Sequence, residues 1–177
     1  MKNSLLVFVL FIGIALTSCN QLKLEKHEAK DLIIKELGLP QKHSIDLKII
    51  GDNKFLNDAL QNEGIINFNW EKQGLLLCLK GVTVTEKGKA YFLGKTSEDT
   101  YRFKTYDTDF GEITGISINK NDQTATIRFT TNSINVTPIA MVLSNGWFGE
   151  KYIHENLNGP KSQEIVLKKF DSGWQIK

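Results

Sequence analysis

Apolar residues fall into three regimes along the chain. They run unbroken through residues 5–16, recur mostly at helical spacing through residues 27–92, and alternate with polar residues from Tyr101 onward. In the second regime Ala29, Leu32, Ile33 and Leu37 share one side of a helix that Gly38 and Pro40 stop. Phe55, Leu56, Ala59 and Leu60 gather likewise in a second helix ending at Gly64, with Asp52 or Asn53 as its N-cap. Residues 65–70 read as extended, residues 75–80 as a buried strand, and Thr85 as the cap of a short helix. In the third regime residues 101–106, 113–118 and 124–129 carry the period of two and the β-branched content of strands. Asn119-Lys120-Asn121-Asp122 joins the last two as a hairpin. Pro138 opens a further strand to residue 143, and residues 163–170 face 174–177 across Asp171-Ser172-Gly173. These elements predict an α+β fold, a helical N-terminal half packed with a C-terminal antiparallel β-sheet. They form a single domain over residues 26–177, with a seam near residues 94–100.

Lys2 precedes the first apolar stretch and Thr17-Ser18-Cys19 closes it, the order of a secretory signal. Its twelve residues fall short of the roughly 20 that a bilayer-crossing helix needs, so the stretch suits transient export. Leu16-Thr17-Ser18-Cys19 resembles the bacterial lipobox, an apolar residue and two small ones before a cysteine. That resemblance implies cleavage between Ser18 and Cys19, with residues 1–18 leaving as a lipoprotein signal peptide. It also implies lipid on the Cys19 thiol, and residues 19–25 as a tether to a membrane. One acyl chain holds a protein only marginally, at about 0.8 kcal/mol per buried methylene, whereas two or three give durable anchoring. Asn20 replaces the Asp that retains such lipoproteins at the inner membrane, which points to the outer membrane of the cell envelope.

Removing residues 1–18 leaves 159 of the 177, enough for one domain with its own core. Only Lys2 is lost from the 22 basic residues, so 21 face 20 acidic ones. That balance gives no electrostatic case for nucleic acid. Cys78 lies in an apolar run and reads as a buried, inert thiol, so no disulfide within the chain is expected.

Several segments in order resemble a loose group of uncharacterised bacterial lipoproteins. They are residues 84–92, Phe110-Gly111-Glu112-Ile113-Thr114-Gly115-Ile116, residues 125–131, Thr137-Pro138, and Val142-Leu143-Ser144-Asn145-Gly146-Trp147. The resemblance covers about residues 82–150 and implies an envelope protein without assigning catalytic residues. The early chain is similar in outline to a winged-helix module, with a wing turning at Lys72-Gln73-Gly74. Its second helix offers Asp58 and only Lys54 as a base, which does not suit DNA.

Candidate chemistry is sparse. His27 and Asp31 share a helix face four residues apart, but two ligands do not make a metal site. Asp107, Asp109 and Glu112 lack the full calcium-loop pattern and read as a solvated inter-strand turn. No Gly-x-Ser-x-Gly surrounds Ser144 or Ser172, and Gly88-Lys89-Ala90 is not a phosphate loop. No metal or cofactor is implied. Among the aromatics, most read as core, while Gly146-Trp147-Phe148-Gly149 is the best candidate for a binding surface. Adjacent aromatics cannot both point inward from a regular strand. The expectation is a non-enzymatic interaction or accessory module, meeting an envelope protein or glycan. A small hydrolase, or a binder of an apolar or glycan ligand, is the alternative.

Overall fold

The computed structural model describes residues 22–49, 54–145 and 151–177, apart from the side chains of Leu77, Tyr152, Ile153 and His154. The first helix, α1 (Lys26–Leu37), follows its apolar stripe, with Ala29 and Ile33 buried. Gly38 closes it at φ 60°, a left-handed conformation in which a Cβ would be strained. β1 (Gln41–Lys48) and α2 (Lys54–Asn62) come next. A hairpin of β2 (Ile66–Gln73) and β3 (Leu76–Val84) forms a two-stranded sheet of its own. The one-turn helix α3 (Glu86–Lys89) is capped by Thr85, whose Oγ1 accepts the Gly88 N–H at 3.0 Å.

The main sheet is antiparallel and curled. β4 (Phe92–Lys95), β5 (Thr100–Asn119), β6 (Thr124–Ile134), β7 (Lys161–Phe170) and β8 (Gly173–Ile176) join β1 in it. Its order is β1-β5-β6-β7-β8, and β4 also pairs with β5. Asp107 pairs with Lys42 on one edge of β5 and with Ile134 on the other. β4 pairs with Phe103, opposite β1's partner Ile45, so β4 and β6 succeed each other along the second edge. Helices α4 (Pro138–Asn145) and α5 (Lys151–Leu157) are inserted between β6 and β7.

This corrects the expectation of a helical half packed on a sheet half. Strand makes up 51% and helix 26%, with short helices scattered along the chain; β1 to β4 all lie in what was read as the helical half. Residues 138–143 are helix, not strand, because Thr137 Oγ1 accepts the Ala140 N–H at 3.3 Å and Pro138 takes the first helical position. That position leaves an N–H unused in any case. The acidic stretch is no turn either. β5 runs straight through Asp107 to Glu112, and register shifts between Phe110 and Gly115 absorb its irregularity. Within residues 94–100 the connection from β4 to β5 is a tight one of residues 96–99, and Thr96 N–H donates to the Thr100 carbonyl at 3.0 Å.

Residues paired directly across an antiparallel ladder share a face, and the registers therefore sort the side chains. Opposite the His43/Ser44 step, β5 carries one extra residue, Thr105. Phe103 and Tyr106 consequently share one face, and Lys104 and Asp107 the other. A 2.8 Å contact between Lys104 Nζ and Asp107 Oδ2 agrees with that assignment. The first face is covered at both ends. Under α2 and α4 lie Leu47, Tyr101 and Phe103; under α1 lie Ala125, Ile127, Phe129, Leu167 and Trp174.

Candidate functional site: a polar cleft on the covered face

Between its two apolar clusters the covered face turns polar. β1 contributes Gln41 and His43, β5 Tyr106 and Thr108, β6 Thr131 and Ser133, and β7 Lys161 and Gln163, from registers that put them on one face. With Asn156 of α5 they line a cleft of about 300 Å³. Apart from the Tyr106 ring, the described lining is made of polar side chains.

The His43 imidazole stacks on the Tyr106 ring, centroids 4.5 Å apart and planes inclined by 20°. Its Nε2 stands 2.9 Å from Thr108 Oγ1, and the tautomer decides which of the two donates. Gln163 Nε2 donates to Thr131 Oγ1 at 3.0 Å, and Ser133 Oγ donates to the Asn156 carbonyl at 2.5 Å. Burial lowers the His43 pKa from its ordinary 6.5, against the opposing pull of the Asp107 carboxylate. Desolvation penalises the charged imidazole, so His43 is held neutral near pH 7. Among the described lining residues there is no carboxylate, and Lys161 is the one cation apart from any protonated His43. The described lining therefore offers amide, hydroxyl and ammonium donors and no carboxylate of its own.

A hydrolytic arrangement needs a nucleophile, a base and a group that orients the base. Thr108 and His43 stand in the first two relationships. The described lining holds no acid for the third.

Ser18, Cys19, Trp147 and Phe148 lie outside the described residues, so the lipidation, cleavage and aromatic-loop expectations have no structural account. His27 and Asp31 are both exposed on α1. Among the described residues no group of His, Cys, Asp and Glu is arranged to hold a metal. Asp107 is only 5% exposed. Its Oδ2 accepts from Lys104 Nζ and from Asn135 Nδ2, both at 2.8 Å. Ser144 Oγ donates to the Met141 carbonyl, and Ser172 Oγ accepts from Gln175 Nε2. Cys78 is half-buried, and the run read as a buried strand leaves Leu75 and Leu76 exposed at the hairpin tip. The winged-helix outline has β1 between its two helices, and those helices pack in different clusters.

The sequence shows His43 as one of three histidines and Tyr106 as one of many aromatics, and it gives neither of them, nor Thr108, a role in a site. The alternation of His43, Ile45 and Leu47 in residues 41–48 marks a strand and places His43 on its inner face. Nothing local announces the ring it meets. No known protein family matches the chain, and no curated protein or solved structure is significantly similar to it.

Proposed function

We propose that this chain is a lipid-anchored binding module of the cell envelope, without chemistry of its own, whose polar cleft takes a negatively charged group of an envelope partner such as an acidic glycan. The donor-rich described lining around Lys161 and neutral His43, which holds no carboxylate, supports this reading above any other observation. Anchoring rests on the lipobox-like Leu16-Thr17-Ser18-Cys19, with outer-membrane delivery following from Asn20. Among the described residues no helix is long and apolar enough to cross a membrane.

Two measurements test the proposal. Mass spectrometry of the membrane fraction is expected to find acylated Cys19 at the N-terminus, and Cys19→Ser to release the protein from membranes. An unacylated mature chain, or one retaining its leader, would overturn the anchor. For the cleft, acetate and glucuronate are titrated against the full-length protein in detergent while the His43 ring signals are followed by NMR. A saturable shift that Lys161→Met weakens about tenfold is expected; no shift with either anion sinks the reading.

The His43–Thr108 contact favours one rival, a small hydrolase. Hydrolysis of 4-nitrophenyl acetate above the solvent rate, abolished by His43→Ala and by Thr108→Val alike, would establish it instead.

A further inference from the structure

A second cavity, of about 260 Å³, separates α2 from the β2–β3 hairpin. It lies outside the polar cleft and shares no residue with it. One wall is polar: Lys54, Asn57, Asp58 and Gln61 line it from α2, at the three- and four-residue intervals that align side chains on one helix face. Phe68 and Trp70 of β2, their ring centroids 6.2 Å apart, form the aromatic wall, and Ile49 and Leu79 complete the apolar side. Trp70 is 54% exposed although it is among the largest apolar surfaces available for burial.

Asn57 carries the decisive detail. It is 8% exposed, and its buried Oδ1 has no hydrogen-bond partner among the described residues. A buried amide oxygen left unsatisfied is costly, and native structures keep few of them. Because Asn57 lines the cavity, a turn of its amide toward an occupant that donates a hydrogen bond removes the cost.

The lining thus specifies its occupant by three demands: a donor for Asn57 Oδ1, a flat C–H face for the Trp70 ring, and further polar groups for Lys54, Asp58 and Gln61. An aliphatic chain brings no donor. A phosphate group at neutral pH has little to donate and meets Asp58. The ring of a sugar satisfies all three, with equatorial hydroxyls at its edge and C–H bonds on its face. We propose that this cavity binds a pyranose unit of a saccharide, with Trp70 as its stacking platform and Asn57 as its hydrogen-bond acceptor.

The test is an NMR titration of the full-length, ¹⁵N-labelled protein in dodecylphosphocholine, a detergent without sugar. Glucose, N-acetylglucosamine and maltose serve as probes, and the indole N–H signal of Trp70 is identified by its loss in Trp70→Phe. At least one sugar is expected to move that signal saturably. Asn57→Leu, which replaces the unpaired amide by an apolar group of similar size, is expected to raise Tm yet weaken sugar binding about tenfold or more. Trp70→Ala, a surface change that leaves the core intact, should weaken it comparably. The proposal fails if none of the sugars shifts Trp70, if Asn57→Leu binds as well as the parent, or if the detergent alone saturates the signal. Because the readout is Trp70 rather than His43, such a failure leaves the polar cleft untouched.

Discussion

His43 and Asp107 lie on opposite faces of the sheet and impose different pH dependences. The folded-state pKa of His43 sits below the ordinary 6.5 because burial disfavours the imidazolium. Its contribution to stability is complete above the unfolded value and is lost as pH falls through the lower folded one. Asp107 is lowered from 3.8, first by the Lys104 hydrogen bond and then by Asn135. Its contribution is present above the unfolded value and disappears at still lower pH. Urea midpoints measured against pH should therefore decline in two stages, one beginning near 6.5 and one below 3.8. His43→Gln is expected to remove the first stage and leave the second. A first stage that survives the substitution would assign it to another group. Neither behaviour is visible in the sequence, where His43 is one of three histidines and Asp107 one of three neighbouring acids. Their environments come from a single extra residue in β5.

At the level of elements, local signals were read well where the chain carries its own cap or turn. α1 stops at Gly38 and Asn119-Lys120-Asn121-Asp122 joins β5 to β6; α2 forms as expected, but of its expected stripe Phe55 is exposed while Asn57 is buried with Leu56 and Leu60. Failures occurred where two rules competed at one residue. Pro138 fits the first position of an edge strand and of a helix equally well, and Thr137 before it decides for the helix. Asp107, Asp109 and Gly111 look like a turn, yet a bulged strand accommodates them. α3 shows how tightly such a short element is specified. Its Gly88 lies where an added Cβ would stand 2.1 Å from the Ile65 carbonyl oxygen and 2.8 Å from Val84 Cγ1. Thr85 meanwhile ties the same place to the end of α2, its Oγ1 donating to the Gly64 carbonyl at 2.6 Å. Gly88→Ala should thus cost about 3 kcal/mol, the upper part of the range for overpacking, since backbone rather than a flexible side chain must move. Gly81→Ala, where nothing lies within 4 Å of the added atom, is the control and should change Tm little. Equal losses would mean that glycine flexibility, not space, is what these positions need.

Across the whole molecule, the decisive contacts join residues too distant in sequence to be paired by pattern. The polar cleft needs His43 beside Thr108, 65 residues away, and neither segment advertises the other. The two ends of the chain meet in the same way. Trp174 Nε1 donates to the Lys23 carbonyl at 3.2 Å, across 151 residues, and Leu24 is buried in the cluster beneath α1 that also contains Trp174. Residues 22–25 are therefore docked on the body rather than serving as a loose tether. If Cys19 carries lipid, only Asn20 and Gln21 separate it from Leu22, three steps with a reach of about 10 Å when extended, so the domain would be held against the bilayer surface. Docking of the ends is testable by a double-mutant cycle. Leu24→Ala should cost about 2 kcal/mol and Trp174→Ala about 3 kcal/mol, the low ends expected for partly accessible core sites. Both residues belong to one cluster, and Trp174 holds the carbonyl of the residue next to Leu24, so the double variant should lose about 1 kcal/mol less than the sum. Additivity within about 0.3 kcal/mol in urea unfolding would show the two residues to be energetically separate, leaving residues 22–25 free to act as part of the tether.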